Sequence, residues 1–285
     1  MPIHHTKEGR IAKINIDCPP VNAIDSTQWL NLYHIINDLS EDKSINVIVI
    51  TASGKGFCGG ADKSETRDNI EQVPTLMDHL WKAARSIHMC NIPVITACHG
   101  YALGAGVFIP ASGDFILASK DAYFGFPGIN FKVIVGAAHM TRLFPLNIVR
   151  EMILTGEPIS AEEAKKYGAI KSIHDTKEEL HEAAYALAET ISSKERHSLV
   201  LAKKSLNSIE PIDIDAAHRF LEVYVRRNHH LFKFEDILPP DESHFKVQIR
   251  AVKDSASGPN GIPYSAYKAV PDLASEVLCK HSSQL

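Results

Sequence analysis

An α/β fold is what the sequence predicts, on three observations. Short β-branched runs bounded by turn residues recur along the first half of the chain. Stretches with apolar residues at helical spacing fall between them, and this alternation is the mark of an α/β domain. The chain has 285 residues, 45% of them hydrophobic, enough for one large core or one domain with an appendage.

The elements follow in order. RIAKINI (10–16) alternates, with Ile14 and Ile16 on one face, and reads as a strand. In IDSTQ, Asp25 or Ser26 can cap a helix carrying Trp29, Leu32, Ile36 and Leu39. NVIVIT (46–51) is a buried strand; a polar segment follows it, then a helix with Leu76, Leu80, Ala84 and Ile87. PVITAC (93–98) and DFILAS (114–119) are further strands. After residue 145 the pattern turns helical. SAEE (160–163) and TKEE (176–179) are capping boxes, Gly168 closes the first of those helices, and the second carries Leu180, Leu187 and Ile191. A longer helix is expected around 213–232, with Ala217, Phe220, Leu221, Tyr224 and Leu231. From 236 the composition shifts through Pro239-Pro240 and SASGPNGIP (255–263) to a short helix near 271–280. The expected division is a core over 1–195, a helical region over 196–235 and a loosely packed extension over 236–285.

Charge and composition exclude several classes. A formal net charge of −4 without a basic run gives no reason to expect nucleic acid. No stretch approaches ~18 apolar residues, and MPIHHTKEGR has no signal-peptide core, so a cytoplasmic protein without a membrane partner is expected. Five scattered cysteines read as reduced thiols, and fifteen histidines lack metal-ligand spacing, so no metal is expected.

Directly after NVIVITAS, the glycines Gly54, Gly56 and Gly59 match GxGxxG. A dinucleotide fold would open an apolar helix at the last glycine. Here the continuation GADKSETRDNIEQ is polar, which speaks against a nicotinamide site. A better reading joins two turns. SGKGFCGGADKSE and NIPVITACHGYALGAG each follow a buried strand and end in small residues with exposed N–H groups. Two such groups converging would form an oxyanion hole, each donor contributing roughly 2.7–4 kcal/mol. The bland alternative is that the glycines serve only tight turns.

Five segments carry a family likeness: PPVNAID (19–25), VIVITASGKGFCGGAD (47–62), IPVITACHGYALGAG (92–106), YFGFP (123–127) and EMILTGEPISAEEAKKYGAI (151–170). From about residue 8 to about 235 the chain resembles the crotonase superfamily, the enoyl-CoA hydratases and isomerases. The resemblance implies a spiral of ββα units with a C-terminal helical region that makes trimers, often paired into hexamers. It implies an acyl-CoA substrate, with coenzyme A present only as part of that thioester and no separate cofactor. It also places the thioester carbonyl between the N–H groups of Ala61 and Ala105, with Gly60, Gly104 and Gly106 around it.

The chain departs from the family where the chemistry lies. The two glutamates of the hydratases carry over onto Phe108 and onto Gly128 of FGFPG, and neither can move a proton. Enoyl-CoA hydration needs one carboxylate to deprotonate water and another to protonate the α-carbon. Pro110 falls in the first turns of the helix after the second turn and is expected to bend it. His139, at a position where hydratases have glycine, is the leading replacement acid or base; packing under the acyl pocket is its structural alternative. Tyr123 is a weaker candidate. Asn130 and Lys132, beyond the vacant Gly128, could place a water or polarise a carbonyl. Asp62 is read as a turn cap, Asp114 as structural, and His99 as either.

PPVNAID with its following Trp, GAAHMTRLFP (136–145) and AKKSLNSIEPIDIDAAHR (202–219) are also similar to the branch that hydrolyses carbon–carbon bonds in ring-containing β-keto acyl-CoAs. That branch keeps the FGxPE glutamate absent here. The expectation is therefore a thioester-enolate enzyme, hydratase- or lyase-like in the broad sense, with C–C hydrolysis and isomerisation as competitors. A non-catalytic acyl-CoA binder is the rival of a different class. A serine peptidase of related fold lacks its nucleophile in either turn.

Overall fold

The computed structural model describes residues 2–67, 69–131 and 138–210, together with 215, 219, 223 and 225–227. The strands are β1 (Ile3–Glu8), β2 (Ile11–Ile16), β3 (Ala23–Ile24), β4 (Val47–Ala52), β5 (Gly60–Ala61), β6 (Val94–Cys98), β7 (Tyr101–Leu103), β8 (Phe115–Ser119), β9 (Tyr123–Gly125), β10 (Ile159–Ser160) and β11 (Ser172–His174). The helices are α1 (Ser26–Glu41), α2 (Ser64–Arg67), α3 (Val73–Met89), α4 (Phe108–Ser112), α5 (Leu146–Thr155), α6 (Ala161–Lys166), α7 (Lys177–Ser192) and α8 (Arg196–Ser208). The predicted helix over 213–232, apart from the few positions named, and the segment 236–285 lie outside the described residues.

The main sheet runs β1-β2-β4-β6-β8-β11, antiparallel at β1/β2 and parallel from β2 onward. Its register aligns Ile14 with Ile50, Ile50 with Thr96 and Thr96 with Ile116. Every residue of β4 is buried, as befits a parallel strand covered on both faces. The period of two sorts its side chains. Ile48 and Ile50 join Trp29, Leu32, Leu80 and Ile87 of α1 and α3 on one face. Val47 and Val49 join Leu180, Ala184 and Ala188 of α7 on the other.

Helix ends follow the sequence signals. Asp25, rather than Ser26, caps α1 by accepting the Gln28 N–H at 2.7 Å. Thr176 and Glu179 close a reciprocal capping box on α7, whereas at the start of α6 only half of the expected box forms: Ser160 accepts the Glu163 N–H, and the buried Glu163 Oε2 makes no hydrogen bond among the described residues. Pro110 is the third residue of α4, which is only five residues long and gives way to Gly113. The helical turn Gly104–Val107 runs into α4 without a break, so Pro110 has no N–H to offer the turn before it, and α4 ends two residues later.

Two smaller sheets were not visible as patterns: β3-β5 and β10-β9-β7. Strands of two or three residues are too short to display alternation. They nevertheless set the geometry of the two glycine turns.

The helix α8 is fastened to the core by polar contacts. The Lys203 ammonium, 4% exposed, donates to Asp114 at 2.7 Å and to the Ile92 carbonyl at 3.2 Å. Asp114 also accepts the Val94 N–H, which bears out its structural reading. Arg196 reaches the carbonyls of Ile45 and Ser40, and Asn207 that of His88. The outward side of α8 exposes Leu201 and Leu206, and Ile209 follows them.

Candidate active site

The first turn leaves β4 at Ala52 and is held from below by Asn22 of the PPVNAID segment. The buried Asn22 carboxamide donates to the carbonyls of Ser53 and Gly56, both at 2.8 Å, while its oxygen accepts the Cys18 N–H. The second turn then zips onto the first. Phe57 N–H donates to His99 O, Cys58 N–H to Tyr101 O, and Leu103 N–H back to Cys58 O.

Glycine is required where the two backbones touch. A Cβ on Gly60, whose φ is +102°, would lie 2.7 Å from Leu103 O and 3.4 Å from Ala105 N. A Cβ on Gly106 would lie 2.9 Å from Cys58 Cβ and nearer still to the Cys58 carbonyl oxygen. Any side chain at either position would wedge the turns apart.

The orientation of two amides follows from this pairing. The Asp62 N–H donates to Ile24 O across β3/β5. Successive N–H groups of a strand point to opposite sides, so the Ala61 N–H points away from β3. Ala105 is the second residue of the 3₁₀ turn Gly104–Val107. The opening N–H groups of such a turn have no acceptor within it.

Beyond this junction stands an aromatic wall. Phe108 opens α4 and is 4% exposed. Its ring lies 5.7 Å from that of Phe126 and 5.3 Å from the imidazole of His139. His139, 2% exposed, belongs to the 3₁₀ turn Ala138–Arg142 and meets Trp81 of α3 edge-on at 4.8 Å. The imidazole is therefore packed on Phe108. Phe126 lies two residues before the buried Gly128.

The other sequence candidates scatter. Tyr123 sits in β9 with its ring 6.2 Å from Tyr101, in a cluster with Val21 and Leu103. Asn130 is exposed, its carboxamide against Gly156 at the end of α5. Lys132 lies outside the described residues. Asp62 accepts the Ser64 N–H at 2.8 Å, the turn-capping role expected of it. His99 is buried with Nε2 3.0 Å from Gly54 O, and burial holds its pKa down at about 4. It is a neutral strut of the first turn.

Sequence reasoning missed four residues. Trp81 is one position off the apolar stripe of α3, a large ring beside that stripe being the available signal. Phe126 lies within the quoted FGFP segment. Asn22 carried no signal beyond its motif. Lys63, two residues past Ala61, is partly buried, and loss of water brings its pKa down to about 8. The thiols are inert by comparison: burial pushes Cys18 and Cys58 up to about 12. Among the described residues no group of three or more His, Cys, Asp or Glu is placed to hold a metal, and no helix is long and apolar enough to cross a membrane.

Comparison with known proteins identifies the family. The family model for enoyl-CoA hydratase/isomerase matches residues 6–237. The chain is 30% identical over 223 residues to a (7aS)-7a-methyl-1,5-dioxo-2,3,5,6,7,7a-hexahydro-1H-indene-carboxyl-CoA hydrolase of Mycobacterium tuberculosis, covering 77% of this chain and 90% of that one. It is 29% identical over 224 residues to a short-chain-enoyl-CoA hydratase of Clostridium acetobutylicum, covering 75% and 84%. Among solved structures, an enoyl-CoA hydratase of Mycobacterium smegmatis superposes with a TM-score of 0.71 at 26% identity, covering 80% of this chain and 91% of that one. The chain is an acyl-CoA enzyme and belongs to the enoyl-CoA hydratase/isomerase family of the crotonase superfamily.

Proposed function

We propose that this enzyme cleaves a carbon–carbon bond in a cyclic β-keto acyl-CoA by adding water, with the Ala61 and Ala105 N–H groups around the thioester oxygen. His139 is the proton carrier. The observation that carries the reading is the buried imidazole packed on Phe108, the residue onto which the family resemblance carries the first hydratase glutamate.

The steps balance with these groups alone. His139 takes a proton as water attacks the ring ketone. The bond between that carbon and the α-carbon breaks, leaving a carboxylic acid and passing its electron pair into the thioester enolate. The two N–H donors hold the negative oxygen. The imidazolium then returns the proton to the α-carbon. The similarity to the indene-carboxyl-CoA hydrolases supports this choice over simple hydration.

Turnover of a cyclic β-keto acyl-CoA and of crotonyl-CoA, followed by NMR, is the test. A new carboxylate with loss of the ring ketone is expected from the first. His139→Ala is expected to lower kcat by about 10²–10⁴. Hydration of crotonyl-CoA with the cyclic thioester untouched would favour a hydratase instead. Tight binding of both thioesters without turnover would favour a non-catalytic binder. Exposed Leu201, Leu206 and Ile209 support a homotrimer or dimer of trimers built through this region, which sedimentation would test.

A further inference from the structure

Resting on the role just given to His139, we infer that Arg142 and Glu210 are positioning residues: their ion pair clamps the histidine-bearing turn against α4. Arg142 lies three residues past His139 in the same 3₁₀ turn. Its guanidinium is forked onto the Glu210 carboxylate, Nε to Oε2 and Nη2 to Oε1, both at 2.9 Å. Its remaining arm, Nη1, donates to the Ala111 carbonyl in α4. Side-chain exposures of 11% for Arg142 and 24% for Glu210 keep the pair largely out of water, where bidentate geometry is strongest.

The contacts form a closed circuit. Glu210 follows the end of α8, and α8 is fixed by Lys203 on Asp114. Asp114 is three residues past Ala111, whose carbonyl Arg142 holds. The same α4 begins with Phe108, on which the His139 ring rests. One guanidinium thus ties the proton carrier, the aromatic wall and α8 together. It touches neither of the two N–H donors, so its loss acts on proton transfer and leaves thioester binding in place. A displacement of His139 by ~1 Å is enough to lower turnover by about 10²-fold.

The experiment uses Arg142→Met, Arg142→Lys and Glu210→Gln in the full chain, with kcat and KM measured per folded enzyme on the cyclic β-keto acyl-CoA. A second readout is independent of turnover: the emission of Trp81, which contacts His139, in a Trp29→Phe background. Arg142→Met is expected to lose about 10–100-fold in kcat with KM changed less than about threefold. Arg142→Lys keeps the charge but not the fork, and is expected to restore turnover only in part. Trp81 emission is expected to shift in Arg142→Met and Glu210→Gln as the turn moves. If Arg142→Met does not fold, Glu210→Gln and Arg142→Lys carry the same comparison. Folded variants with full kcat and unshifted emission, while His139→Ala is inactive, overturn the clamp and leave the proposed reaction standing. Full activity in His139→Ala overturns both.

Discussion

Replacing Gly106 by alanine tests the junction on which the oxyanion reading rests. The added Cβ would lie 2.9 Å from Cys58 Cβ and 3.0 Å from Cys58 C, and closer still to the carbonyl oxygen. A carbon and a carbonyl oxygen need about 3.3 Å, so the turns must part by something on the order of 1 Å. The Cys58 carbonyl cannot swing aside freely, because it accepts the Leu103 N–H at 2.9 Å. The displacement therefore passes to the amides of Ala61 and Ala105. Losing one well-aimed donor costs about 2.7–4 kcal/mol of transition-state stabilisation, a factor of about 10²–10³ in kcat. Steady-state kinetics on the cyclic β-keto acyl-CoA, beside a melting curve, gives the measure. Wild-type kcat in a folded Gly106→Ala enzyme would refute the reasoning, since the turns would then tolerate separation without loss of charge stabilisation.

Two pH-dependent predictions follow from buried bases. His99 titrates at 6.5 when free and at about 4 when folded, so the unfolded chain binds more protons between those values. Its contribution to stability is present above pH 6.5 and lost as pH falls toward 4, by about 3 kcal/mol at most. Urea midpoints from pH 7 to pH 4 should fall less steeply in His99→Gln. Lys63 titrates at 10.5 when free and at about 8 when folded, so below pH 8 the folded chain carries the cost of a poorly hydrated ammonium. Lys63→Met is expected to raise stability by about 1–3 kcal/mol at pH 7. That gain should shrink between pH 8 and 10.5 and vanish above it; a constant gain across the range would locate its origin in packing instead.

Much of the main sheet could be read directly. The runs at 47–52, 94–98 and 115–119 are almost wholly buried, and their local pattern survives because a strand covered on both faces reads as a near-continuous apolar run. The caps at Asp25, Ser160 and Thr176 were legible for a similar reason: the partner of each cap is three residues away. The short strands β3, β5, β7, β9 and β10 were not, because two or three residues carry no period and their pairing is decided by segments remote in the chain.

The sequence by itself determined the α/β core and the two glycine turns. These are properties of residue type and local spacing. Only the tertiary structure decided that Trp81, Phe108, Phe126 and His139 share one wall, and that Arg142 meets Glu210 across the base of it. Those side chains come from separate elements, and a contact between distant segments leaves no periodic trace along the chain; it exists only once the sheet has fixed where each element ends.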